Sequence, residues 1–457
     1  MWSRRNKKEK KEQKVEERAL FSYVSKNKSK KINDLTTRIL FTLAVLVVIR
    51  IASNIPIPGL DSEVFDKWFS EKFSSSGGFF NVMTGGSFAN MSILALNITP
   101  IITSSIVVQF ASMLIRPLEK LMRDEDGQKM MAQITRYLAM IIAFVESGLF
   151  ALSFYQNGYF TDNDGLAALS MVFIITAGSA VTLWFADLIS EYGVGNGVTV
   201  ILVADILMSV PSDVVLLWRR FVAIYPRIPM KFLSVLLVTF IVCLIIAYVV
   251  IMQECEHRFP VQGSYGTSSI MHMHDEKKKQ NYIPMKLNAA GVMPVIFAQA
   301  VLQLPTWLAS LGFNIQKGFF NFLALSFEQK NWFNLYYPEY SFGILVFLVV
   351  IVLFSYFYAN ISFSPEEIAD HLRETGATIP GIRPGVETAK YLRKSARAMN
   401  FLGACALSII ALIPIFITAY YRIELSLGGT SLIIIVGGIT EVVQQIRAEK
   451  YKQRLIE

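Results

Sequence analysis

Apolar residues in this chain gather into ten blocks of about twenty. They lie at 36–55, 91–114, 134–154, 168–188, 198–217, 231–252, 287–309, 341–362, 400–420 and 427–446. A helix of about twenty apolar residues covers the hydrocarbon core of a bilayer. In lipid every backbone polar group must be satisfied internally, so such blocks become helices rather than open strands. With 53% hydrophobic and 17% charged residues, the 457-residue chain is too apolar for a soluble domain of its length. The expectation is an all-α polytopic membrane protein with ten transmembrane helices. Pro56, Pro58 and Gly59 stop the first of them. No cleavable leader is expected, because the first 35 residues are too long and too charged for one.

Orientation follows from Lys and Arg in the connections. The side carrying the N-terminus holds 32 of them and the other side 9. Both termini are therefore expected in the cytoplasm. The connections 253–286 and 363–398 then become the largest cytoplasmic surfaces after the basic tail. The expected division is a cytoplasmic tail (1–32), an N-terminal half (33–230), a C-terminal half (231–446) and a second cytoplasmic tail (447–457). The half made of spans one to five begins in the cytoplasm and the half made of spans six to ten begins outside, which permits two halves of inverted topology.

One stretch breaks the pattern. Ser74 to Gln109 begins with a short segment flanked by Gly77-Gly78 and Gly85-Gly86, and continues as a helix interrupted by Asn97 and Pro100. Backbone of this kind sits at membrane depth only when buried in protein or lining a wet cavity. The chain is thus expected to surround a polar cavity holding Phe79 to Phe88. Ile98, Ile102 and Ile106 recur at intervals of four on one helix face. That spacing suits ordinary packing, or an apolar constriction that blocks ions by dewetting.

Ionisable residues inside spans mark cavities or partner contacts. Glu146, Asp205 and Glu441 are the candidates, and Glu441 lies close enough to the interface to reach water. Asp205 is either a cavity-facing carboxylate or a buried hydrogen-bonded one. Glu146, with Thr103 and Asn288, suggests an interhelical polar latch worth roughly 0.6–2 kcal/mol per hydrogen bond. Gly193-Val194-Gly195-Asn196-Gly197 lacks the lysine of a phosphate loop and reads as a tight turn. In loop 363–398, Ser364 and Pro365 start a helix and Gly376 ends it. Ile379-Pro380-Gly381-Ile382-Arg383-Pro384-Gly385 then fixes Arg383 in a rigid double turn, either for an anionic partner or to tie down its own loop. The three scattered cysteines and the His272/His274 pair give no metal site, and no nucleophile–base pair or catalytic acid pair is present. No enzymatic chemistry and no cofactor are expected.

The motifs SNIPIPGL (53–60), NITPIITSSIVVQ (97–109), EYGVGNGV (191–198), RFPVQ (258–262), YIPMKLNAAGVMPVIFA (282–298), PGIRPG (380–385) and LGGTSLIIIVGG (427–438) resemble the SecY family over about residues 33–450. That family is the channel-forming subunit of the bacterial protein translocase. The resemblance implies two inverted five-helix halves around a central hourglass channel. Its pore ring would be Ile98, Ile102, Ile106, Val198, Leu202, Ile296, Ile433 and Ile434. A short re-entrant plug helix at about 77–88 would include Phe79, Phe80, Val82, Met83 and Phe88. Thr103, Glu146 and Asn288 would form the polar cluster of a lateral gate that receives signal peptides, nascent chains and membrane helices. Arg258, Lys277, Lys278, Lys279, Arg383, Arg393 and Lys394 would dock the ribosome or the SecA motor ATPase. SecE and SecG would complete the complex in a bacterial plasma membrane.

The chain departs from the family pattern at Gly263-Ser264-Tyr265-Gly266, where a basic cluster is usual. It departs again at Asp205, where glycine is usual, and in its long basic tail. A secondary transporter for a small solute is the rival reading, since broken helices and inverted halves suit it equally. It would need Glu146 and Asp205 as its coupling-ion site.

Overall fold

The computed structural model describes residues 36–60, 65, 81, 83–115, 117–118, 121, 125–160, 165–219, 228–262, 282–288, 291–310, 322, 325–327, 332, 341–421 and 429–456. The basic tail, Phe79, Phe80, Val82, the His272/His274 pair and Lys277–Lys279 lie outside them.

The described chain is helical apart from one two-stranded ribbon. In order come α1 (36–52), α2 (Thr99–Leu114), α3 (Glu125–Asn157), α4 (Gly165–Tyr192), α5 (Gly197–Leu217) and α6 (Ile228–Glu254). The ribbon strands β1 (Glu256–Pro260) and β2 (Tyr282–Lys286) follow. Then come α7 (Met293–Ser310), α8 (Phe342–Ser362), the short α9 (Pro365–Glu374), α10 (Val386–Tyr421) and α11 (Gly429–Ile456). Among the described residues, six helices contain stretches long and apolar enough to cross a membrane: Asp126–Asn157, Gly165–Tyr192, Gly197–Val215, Met230–Glu254, Phe342–Ala359 and Val386–Ile413. Thr99–Ser112 and Met293–Leu302 are shorter apolar helices. Along α6, Phe232, Leu233, Phe240 and Ile251 point outward and exposed. In a multi-pass membrane protein these are side chains for lipid, not for water.

Local chemistry explains the starts and stops. Pro100 stands in the first turn of α2, where its missing N–H costs nothing. Asn196 caps α5 by accepting from the Val198 N–H at 3.1 Å. Gly197 is required there by close approach, since a Cβ would lie 1.8 Å from the Ala186 carbonyl oxygen. The expected tight turn is therefore also a junction. Thr42 of α1 accepts from the Val194 N–H (3.1 Å), and Gln445 of α11 accepts from the Gly195 N–H (3.0 Å).

Three expectations need correcting. Ser364 precedes α9, but its side chain makes no capping bond; its carbonyl accepts from the Ile368 N–H instead. Residues 256–260 and 282–286, read as loop, pair as antiparallel strands with Arg258 opposite Pro284. The helix expected at 400–420 begins at Val386, so the second half of loop 363–398 is helical and continuous with the span.

Three apolar clusters organise the interior. The largest gathers side chains of α1, α2, α3, α4, α5, α6, α7, α8, α10 and α11. A second packs Phe65, Phe88, Phe150 and Phe154 with Met171 and Ile175 of α4. The third joins Phe259 of β1 and Met285 of β2 to Leu372 of α9, Ile379, and Leu392 and Ala396 of α10.

Candidate functional site

The largest cluster contains, at its centre, residues from four helices that are far apart in sequence. Ile98, Ile102 and Ile106 come from the start and first turns of α2, Leu202 from α5, Ile296 from α7, and Ile433 and Ile434 from α11; all are buried. Val198, partly buried, packs against them. All eight residues expected to form a ring thus share one cluster. Aliphatic side chains offer no group to replace the water around an ion, so such a cluster is a barrier to charge.

Met83 belongs to the same cluster, and it comes from the turn before α2. That turn, Met83 to Asn90, is wound around Asn81. The Asn81 carbonyl accepts from the Gly86 N–H (2.9 Å) and the Thr84 hydroxyl (3.2 Å), and its side-chain oxygen accepts from the Ala89 N–H (3.1 Å). Thr84, Ser87 and Phe88 are fully buried. Phe88 faces the second cluster, with its ring 5.2 Å from that of Phe150 and 6.5 Å from that of Phe65. The turn therefore plugs into apolar material at both ends, Met83 on one side and Phe88 on the other. A short antiparallel contact steadies its exit, with Ile57 donating to the Met91 carbonyl and Ile93 to that of Ile55, both at 3.0 Å.

Between those apolar ends lies a polar seat. Arg50, at the end of α1, donates to the Gly85 carbonyl at 2.6 Å and to the Ser53 hydroxyl at 3.3 Å. Asp205 of α5 is buried and accepts from the Asn97 side-chain amide at 2.6 Å. This settles Asp205 as a hydrogen-bonded carboxyl group. Asn97 has a left-handed backbone (φ 47°), as does Gly85 (φ 61°). A Cβ on Gly85 would lie 2.6 Å from the near Asp205 carboxyl oxygen, so only glycine fits against that group.

The expected latch of Thr103, Glu146 and Asn288 is arranged differently. Thr103 donates to the Thr99 carbonyl of its own helix (3.0 Å), and Asn288 donates to the Gly291 carbonyl (2.8 Å). Glu146 Oε2 and Asn288 Oδ1 are buried without a hydrogen-bond partner among the described residues. No hydrogen bond among the described residues joins the three. A different polar contact bridges α2 and α8: Tyr358 donates to the Gln109 side-chain oxygen. Around it, Phe354 packs on Phe110 (5.2 Å) and Phe297 (5.7 Å), and Phe297 on Tyr358 (5.6 Å). Sequence reasoning missed this seam. A glutamine in the apolar run 106–112 was its only signal.

On the ribbon side, the two connections expected to dock partners form one body. Gln262 and Thr378 exchange two backbone hydrogen bonds of 2.8 Å, and Phe259 lies 6.0 Å from Tyr391. Arg258 is paired with Glu256 (2.7 Å) and sits 4.7 Å over the Tyr282 ring; Glu256 raises its pKa further above the ordinary arginine value. Arg383, Arg393 and Lys394 line a cleft of about 1160 Å³ together with Lys390, Arg397 and Tyr391. Arg393 is also paired with Glu366 of α9.

A multi-pass helical membrane protein with a large aliphatic cluster, and a buried turn whose Met83 packs into that cluster, is what this geometry defines. The SecY family model matches residues 92–443, and the chain belongs to that family. It is 36% identical over 421 residues to protein translocase subunit SecY of Porphyra purpurea, covering 91% of this chain and 96% of that one. It is 32% identical over 433 residues to the same subunit of Staphylococcus carnosus (strain TM300), covering 92% and 95%. Among solved structures, it is similar to a SecY whose plug domain stabilises the closed state of the translocation channel and maintains a membrane seal (TM-score 0.62, 18% identity, 91% and 92% covered). It is also similar to Sec61 in the canine ribosome–channel complex from the endoplasmic reticulum (TM-score 0.61, 17% identity, 91% and 93% covered).

Proposed function

We propose that this chain is the protein-conducting channel of a bacterial plasma membrane, with both termini in the cytoplasm. The observation that carries the reading is the central cluster: aliphatic residues of α2, α5, α7 and α11 close on one another with Met83 inserted beside them. Unfolded secretory polypeptides would pass through this ring of Ile98, Ile102, Ile106, Val198, Leu202, Ile296, Ile433 and Ile434, which yields by side-chain rotation. Residues 77–88 act as the plug. The halves 33–230 and 231–446 face each other across the channel in inverted orientation.

A lateral gate opens between α2–α3 and α7–α8 and releases apolar segments into lipid. A signal peptide, itself an apolar helix, replaces contacts along that seam and shifts closed toward open. The chain supplies no chemistry for energy. A docked ribosome or the SecA ATPase drives transport from the cytoplasmic face, through Arg258, Lys277–Lys279, Arg383, Arg393 and Lys394, and SecE and SecG complete the assembly.

The test is to delete 77–88 and record currents in planar bilayers. Large, nonselective currents after deletion, with near silence before it, support the channel. Continued silence, with saturable uptake of a small solute by the intact protein, overturns it in favour of a transporter.

A further inference from the structure

We propose that Arg50, Asn97 and Asp205 form a catch that holds the plug turn in its seat by gripping it at Gly85. The inference rests on the channel reading above and adds to it the residues that set how firmly the plug is held.

The catch is built from three separate elements: the end of α1, the entry to α2 and the middle of α5. From one side Arg50 donates to the Gly85 carbonyl at 2.6 Å, a charge-assisted bond to plug backbone. From another, the Asp205 carboxyl group lies so close to the Gly85 α-carbon that any side chain there would collide with it. Asn97 bonds Asp205 at 2.6 Å and fixes its orientation. Arg50 thus grips Gly85 at its carbonyl, while Asp205 packs against its α-carbon from the other side. A buried polar group is costly unless it is hydrogen-bonded, and Asn97 supplies that bond to Asp205.

When the plug leaves, Arg50 loses the Gly85 carbonyl and is left with the Ser53 hydroxyl, and the wall of the seat opens to the channel. The apolar ends of the turn, Met83 and Phe88, resist departure through packing. The catch adds a directional hold at one atom. Because the grip is on backbone and requires glycine, it is specific to the Gly85-Gly86 turn and tolerates variation elsewhere in the plug.

The experiment uses the full-length chain in planar bilayers, alone and with 77–88 deleted. Arg50→Gln and Asp205→Asn should each raise the time-averaged conductance of the plugged channel by about tenfold, the change expected from one charge-assisted hydrogen bond. Arg50→Lys, which keeps the charge, should restore most of the silence. In the plug-deleted channel the same substitutions should change nothing. If both variants stay as silent as the parent while the deletion conducts, the catch is refuted and the channel reading stands. If they raise conductance equally without the plug, they shape the pore, and the catch is again refuted. A silent deletion removes the plug reading and this inference with it.

Discussion

In the largest apolar cluster, Ile98, Ile102, Leu202, Ile296, Ile433 and Ile434 bring together aliphatic side chains from four helices. On the ribbon side, Phe259, Met285, Leu372, Ile379, Leu392 and Ala396 form a cluster of similar chemistry, but one tied by backbone bonds between Gln262 and Thr378 and by the ladder of β1 on β2. Burial is comparable in the two. What differs is the kind of hydrogen bond beside the cluster: single side-chain bonds, Asn97 to Asp205 and Tyr358 to Gln109, in the first, and backbone pairs in the second. Dispersion and apolar burial are non-directional, so the aliphatic side chains themselves can separate and re-form without breaking a polar bond of their own. The ribbon body cannot open without losing backbone pairs. One cluster is suited to part around a moving chain, the other to hold a docking surface still.

The largest expected effect tests the rigid member of the pair. Leu392→Asp places an uncompensated charge in the ribbon cluster, at a cost of several kcal/mol. Loop 363–398 should lose protease resistance while the membrane helices stay folded, as limited proteolysis in detergent would read. The matching change at the centre is Ile434→Asn. An unpaired amide there costs about 1–3 kcal/mol. The result should be a folded protein with a steady ion leak, because water wets the polar site. Should Ile434→Asn unfold the protein rather than make it leak, the contrast between a parting cluster and a rigid one is lost.

The docking surface gives the next effect. Arg393→Gln with Lys394→Gln removes two cations from the cleft beside the double turn. If they meet ribosomal phosphates, the slope of log affinity against log salt should fall by about two, one for each cation removed. An unchanged slope would assign Arg393 to its pair with Glu366 alone, an exposed ion pair worth about 1 kcal/mol or less.

Much of this was legible in the chain, for reasons particular residues make plain. The apolar blocks and the spacing of Ile98, Ile102 and Ile106 are local signals, and the three isoleucines do share one buried cluster. The Gly193–Gly197 turn was legible as a turn, but not as the meeting point of α1, α5 and α11, which depends on Thr42 and Gln445. The ribbon escaped because its strands are five residues each and are separated by more than twenty; pairing of that kind has no local signature. The start of α10 escaped because nothing between Val386 and Asn400 breaks a helix, so the boundary between loop and span does not exist in the backbone. Asp205 was singled out as costly, but its partner lies 108 residues away at Asn97. The trio Thr103, Glu146 and Asn288 was grouped as polar residues on neighbouring spans, and again by resemblance, and both carry position but not side-chain direction. The observed bonds of Thr103 to Thr99 and of Asn288 to Gly291 are local choices that short polar side chains make with nearby backbone.

The smallest effect concerns the seam that lies between the two extremes. Gln109 and Tyr358 join α2 to α8 by a side-chain bond, surrounded by Phe110, Phe297 and Phe354. Here a polar bond does cross a parting surface, so the seam should open less readily than the centre and more readily than the ribbon. Tyr358→Phe keeps the ring and removes the hydroxyl. It should weaken the closed seam by about 0.5–1.5 kcal/mol. That is a few-fold to about tenfold shift toward opening, and it should show as transport of substrates with weakened signal peptides. Gln109→Leu should act in the same direction, and the double variant should add little, since both remove one bond. Full additivity of the two would mean that each side chain acts through a different neighbour, and that the seam is held by its aromatic packing.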